Sequence, residues 1–115
     1  MSVTLYGIPN CDTVKKARAW LNARGIDHAF HDYKKAGIDA ASLRSWAGEV
    51  GWERLLNRAG TTFRKLDEAE RADLDEAKAV ALMASHPSLI KRPVVSGAGP
   101  LIVGFKEAEW TERFA

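Results

Sequence analysis

VTLYGIPNCDTVKKARAWLNARGIDHAFHDY, residues 3–33, is the stretch that decides the fold. Val3 to Gly7 is β-branched and aromatic and is stopped by Gly7 and Pro9, the pattern of a short strand. Asn10, Asp12 and Thr13 are capping types, so a helix should begin near Cys11. Val14, Ala17, Trp20 and Leu21 then form an apolar stripe at helical spacing, and Gly25 ends it. Residues 27–33, with Ala29 between aromatic neighbours, read as a second strand. Strand, helix and strand joined this tightly make a βαβ unit, which requires parallel pairing and a right-handed crossover.

The chain beyond is helical and then returns to strands. Ile38 to Val50 carries Leu43, Trp46 and Val50 on one face, and Trp52 to Asn57 predicts a further short helix. Thr61 to Leu66 alternates and reads as an extended connector. Asp73 to His86 has acids in its opening turn and places Ala77, Val80, Ala81 and Met83 inside, with His86 and Pro87 closing it. Pro93–Ser96 and Leu101–Gly104 are apolar runs separated by GAGP, a link short enough for an antiparallel hairpin. Lys106 to Phe114 predicts a last helix that carries Trp110 to the core. The order β-α-β, then β-β-α, predicts one α/β domain over residues 1–115. It matches a thioredoxin-like core with a mixed sheet and a helical insertion, at about 38–86, between the second and third strands.

Composition narrows the function classes. At 115 residues, 46% hydrophobic and 28% charged, the chain has the make-up of a globular protein able to bury a core without staples. Seventeen basic and fifteen acidic residues give a net charge of +2, too balanced to argue for a nucleic-acid or membrane partner. The opening MSVTLYGIPN lacks a basic start and an apolar run, so a cytoplasmic setting is expected. No coiled-coil pattern is evident, and a monomer is the expectation. One cysteine excludes an intrachain disulfide, a CxxC pair and a zinc ribbon. His28 and His31 are three apart and point to opposite faces of a strand, so no metal site is expected.

That one cysteine is the candidate for chemistry. Cys11 falls where the first helix starts, and the backbone N–H groups and helix dipole there favour a thiolate. Lys15 and Lys16 add positive charge and Asp12 opposes it. A small buried packing residue is the plainer reading of a free cysteine. The polar neighbours Asn10, Asp12 and Thr13 argue against it. Arg92-Pro93 is the second feature: a proline opening a strand often marks a cis bond or an edge. Arg54, Arg58, Arg64 and Lys65 concentrate further positive charge.

YGIPNCDTVKKARAWL, LLNRAGTTFRKLDE and HPSLIKRPVV resemble, in order, segments of the arsenate-reductase-like (ArsC/Spx) family, closest to its YffB branch. The resemblance implies a thioredoxin-like fold with a helical insertion. It also implies a nucleophilic role for Cys11. In the family's arsenate reductases, coupled to glutathione and glutaredoxin, three arginines hold the oxyanion. One matches Arg92, the second falls at Asn57 beside Arg58, and the third at about Gly104, near Lys106. The Spx branch binds RNA polymerase and typically uses a CxxC switch, whose second cysteine is Val14 here. The YffB branch implies a glutathione-dependent thiol reductase, which is the leading expectation. Cys11 and Arg92 would be catalytic, and Asn10, Thr13, Arg58, Lys91 and Pro93 would bind substrate or glutathione. No bound cofactor is expected; glutathione would be co-substrate, with glutaredoxin a candidate partner and a small or protein disulfide the substrate.

Overall fold

The computed structural model describes residues 2–115, which divide into two compact units. The first comprises the chain up to Tyr33 together with Arg92–Ala115. It holds β1 (Thr4–Gly7), α1 (Asp12–Ala23), β2 (Ala29–Asp32), β3 (Val94–Ser96), β4 (Ile102–Val103) and α8 (Glu107–Arg113). The strands form one mixed sheet in the order β2-β1-β3-β4. β1 runs parallel to β2 and antiparallel to β3, and β3 and β4 form the expected antiparallel hairpin. This is the α/β, thioredoxin-like arrangement of the sequence reading.

Strand alternation sorts the side chains by face. Phe30, Leu5, Val95 and Ile102 lie in one row across the four strands. They join Val14, Ala17, Trp20 and Leu21 of α1 and Trp110 of α8 in a single hydrophobic core. Trp20 and Trp110 meet edge to face with ring centroids 5.6 Å apart, and Arg24 lies 3.8 Å above the Trp20 ring. The adjacent row, His31, Tyr6, Val94 and Val103, takes the opposite face. α1 ends as Gly25 predicts: at φ +67° its N–H bonds Asn22 O, and the Ile26 N–H bonds Leu21 O.

The second unit, Lys34–Lys91, contains the stretch 38–86. It includes α3 (Ala40–Val50), α4 (Trp52–Leu55), α5 (Thr61–Arg64), α6 (Glu68–Arg71), α7 (Glu76–Ser85) and a 3₁₀ turn at Pro87–Leu89. A one-turn helix, α2 (Tyr33–Ala36), begins where the sequence reading extended the second strand. Asp39 caps α3 by accepting the Ser42 N–H at 2.6 Å. Asp75 caps α7 through the Lys78 N–H at 2.8 Å. Leu43, Trp46, Leu55, Leu56, Val80, Met83, Leu89 and Ile90 are buried.

Two expectations fail here. Residues 61–64 form a helical turn, not an extended connector: the Arg64 and Lys65 N–H groups bond Gly60 O and Thr61 O, and the Arg64 guanidinium bonds Ala59 O at 2.8 Å. α7 starts after Asp75, and its inward face carries Ala79, Val80, Leu82 and Met83, while Ala77 and Ala81 are exposed. No helix among the described residues is long and apolar enough to cross a membrane.

Candidate active site

The chain leaves β1 at Gly7 and reaches α1 through Ile8, Pro9 and Asn10. Cys11 is the N-cap residue, extended at φ −135° and ψ 123°, and its carbonyl accepts the Lys15 N–H at 2.9 Å. No side chain caps this helix, although Asn10, Asp12 and Thr13 are all capping types. The thiol is free and half-buried, resting against the core of its unit. A helix start attracts negative charge, and the exposed Lys15 and Lys16 follow within the next turn. Asn10 and Thr13 are exposed on either side of Cys11 in the chain.

Gly7 sets how closely the first turn approaches the sheet. A Cβ built there would lie 2.7 Å from Val14 Cγ2, inside any real carbon contact. The absence of a side chain lets Val14 sit directly on the end of β1, and Cys11 is carried with it.

Arg92 and Pro93 belong to the same unit. Tyr6 pairs with Val94 in the antiparallel register, which sets Gly7 level with Pro93 one step on. The cysteine loop and the Arg92–Pro93 segment therefore leave the same end of the sheet. The Arg92–Pro93 peptide is cis, Pro93 is buried, and its carbonyl accepts the Gly104 N–H at 2.8 Å. Arg92 is half-buried.

Arg58 and Lys91 fall in the second unit, both exposed. Leu56 bridges Ile90 there, flanked by bonds from Lys91 N–H to Leu55 O and from Asn57 N–H to Leu89 O. Lys91 and Arg58 follow their bridge partners Ile90 and Leu56 in opposite chain directions, so the bridge holds the two basic residues apart. Arg58 lies over the Trp52 ring at 5.8 Å. Among the described residues no group of three His, Cys, Asp or Glu could hold a metal ion.

Tyr33 is a residue of this region that the sequence reading passed over. It is fully buried and its hydroxyl has no hydrogen-bond partner, an arrangement that costs about 1–3 kcal/mol. Its ring stands 6.3 Å from Tyr6 and 6.3 Å from His31. Burial pushes the phenol above the ordinary tyrosine range; the neighbouring Tyr6 adds to the rise, and the Arg92 charge opposes it. The signal was an aromatic residue directly after the second strand, beside His31 and Tyr6.

Known proteins share this architecture. A solved structure named YffB protein superposes with a TM-score of 0.95 at 57% identity, covering 98% of this chain and 99% of that one. An arsenate reductase related protein from Brucella melitensis is 58% identical with a TM-score of 0.78, over 99% of this chain and 95% of that chain. The global transcriptional regulator Spx of Streptococcus pyogenes is 31% identical over 93% of this chain and 81% of its own length. The ArsC family model matches residues 6–113, from the second half of β1 to the end of α8, and the chain belongs to the ArsC family.

Proposed function

We propose that the protein is a cytoplasmic glutathione-dependent thiol reductase. The observation that carries this reading is the free, half-buried Cys11 at the uncapped start of α1. Its thiolate attacks a mixed disulfide R–S–SG at the glutathione sulfur. A protein–glutathione disulfide forms and RS⁻ leaves. A second glutathione thiolate then attacks that disulfide, releasing glutathione disulfide and restoring the Cys11 thiolate. Net, RSSG and GSH become RSH and GSSG, with every electron supplied from outside the chain. Arg92 holds a glutathione carboxylate. Asn10 and Thr13 line the thiol's approach, and Pro93 shapes the adjoining backbone.

Two observations favour other uses of the fold. The Brucella relative's name points to arsenate. Of the three arginine positions, however, Asn57 spends its side-chain oxygen on the Ala59 N–H, and Gly104, at φ +86°, has no side chain to offer. The name of the Spx relative points to a transcriptional regulator; the reading that follows is an RNA-polymerase-binding adaptor with its thiol idle. One experiment separates the readings. The protein is exposed to glutathione disulfide and weighed, and mixed-disulfide turnover is followed in wild type and Cys11→Ser. The reductase reading expects one glutathionyl group per chain and complete loss of turnover in the variant. No adduct, or turnover that survives Cys11→Ser, sinks it. Arsenate turnover in place of disulfide turnover, or polymerase binding that survives the substitution, would identify the other two.

A further inference from the structure

The sheet register brings a third residue to the Arg92 end of the fold. Gly7 pairs with Asp32 at the end of the parallel ladder, and Tyr33 follows at once as the first residue of α2. Tyr6 pairs with Val94 at the end of the antiparallel ladder, and Arg92 stands two residues ahead of Val94, before the cis Arg92–Pro93 peptide. Tyr33 thus follows β2 and Arg92 precedes β3, strands that flank β1 two spacings or roughly 10 Å apart, and the Arg92 charge acts on the Tyr33 phenol. A tyrosine and an arginine extended toward each other cover that span. The Tyr33 ring packs beside those of Tyr6 and His31 at this end of the sheet.

The hydroxyl of Tyr33 is fully covered, so it acts through a neighbour and not on a ligand directly. A phenylalanine would fill the same space without leaving an oxygen unbonded. The oxygen's two lone pairs are suited to a guanidinium, and the Arg92 charge acts on this phenol. We propose that Tyr33 is a positioning residue: its phenol oxygen accepts a hydrogen bond from Arg92 when that arginine engages an anionic ligand, a glutathione carboxylate. The role rests on the assignment of Arg92 in the reductase reading. Ligand binding then satisfies an oxygen that the resting protein leaves bare, and the guanidinium is held in one orientation for a planar carboxylate.

Tyr33→Phe tests this. The expected result is a KM for glutathione raised about tenfold, the ratio a bond to a charged group supplies. The KM should rise by a larger factor than kcat falls, and the urea midpoint should be no lower than that of wild type. The Arg92 Nε–Hε resonance, identified by its loss in Arg92→Lys, should shift with glutathione in wild type and less in Tyr33→Phe. In the Arg92→Lys background, removing the hydroxyl should change KM by less than about twofold, since the partner is gone. An unchanged KM and resonance in Tyr33→Phe overturns the positioning role while leaving the reductase reading intact. The same KM change in both backgrounds, or a lowered midpoint, assigns Tyr33 a packing role and also overturns it. An Arg92 resonance in wild type that ignores glutathione overturns both.

Discussion

At Gly97 two lengths of backbone lie against each other. The residue has φ +88°, and a Cβ added there would stand 1.7 Å from the Ser2 carbonyl oxygen. Both the conformation and the space demand glycine, so Gly97→Ala should cost more than about 2 kcal/mol, read as a lower urea midpoint. Gly7 differs in kind: the obstacle is the side chain of Val14 and not backbone, so a small shift of α1 relieves it. Gly7→Ala should therefore cost a milder ~1–3 kcal/mol. The sequence marked Gly7 as a strand stop, but its closeness to Val14 depends on how α1 folds back, which no local pattern encodes. Cys11 was legible because the strand signal, the helix stripe and the polar residues between them converge on one position. Tyr33 was not, because what distinguishes it is a hydroxyl left bare by burial.

Among the elements, α1, α3 and the short α4 were readable, and the single turns α2, α5 and α6 were not. α1 and α3 bury four and three residues at helical spacing, and the sequence places both within two residues of their observed starts. α5 has no buried residue and rests on backbone bonds and the Arg64 contact, so the β-branched pair Thr61-Thr62 misled toward a strand. In α7 the start was read three residues early, at Asp73, whose φ of 51° is not helical, and the inward face was misassigned with it. The caps give a direct check: Asp39→Ala and Asp75→Ala should each lower unfolding free energy by about 1 kcal/mol in urea titrations. α8 also secures the hairpin turn, since the Arg113 guanidinium donates to Ala98 O at 3.2 Å and to Pro100 O. Arg113→Ala should leave the sheet paired and speed amide hydrogen exchange across residues 97–101.

On the scale of the whole molecule, the order of strands and helices was legible because the βαβ pattern admits one handedness and the short GAGP link admits one pairing. The two compact units were not legible, since no change in composition marks Tyr33 or Arg92 as a boundary. Tyr33 gives the molecule a pH dependence of known sign. Its folded phenol titrates above the ordinary 10.0, so its contribution to stability is complete below that pH. As the pH rises past 10.0 the unfolded chain sheds this proton while the folded chain keeps it, and stability falls. Urea midpoints measured between pH 9 and pH 11 should decline, with a shallower slope in Tyr33→Phe.

The four tryptophans divide evenly between the units: Trp20 and Trp110 in one, Trp46 and Trp52 in the other. Each unit therefore carries its own fluorophores. With Trp46 and Trp52 replaced by phenylalanine, all remaining indole emission comes from the edge-to-face pair beneath Cys11's helix. The near-ultraviolet circular dichroism of that coupled pair then becomes an optical signal of order in the cysteine-bearing unit, recorded without attaching any dye to the thiol.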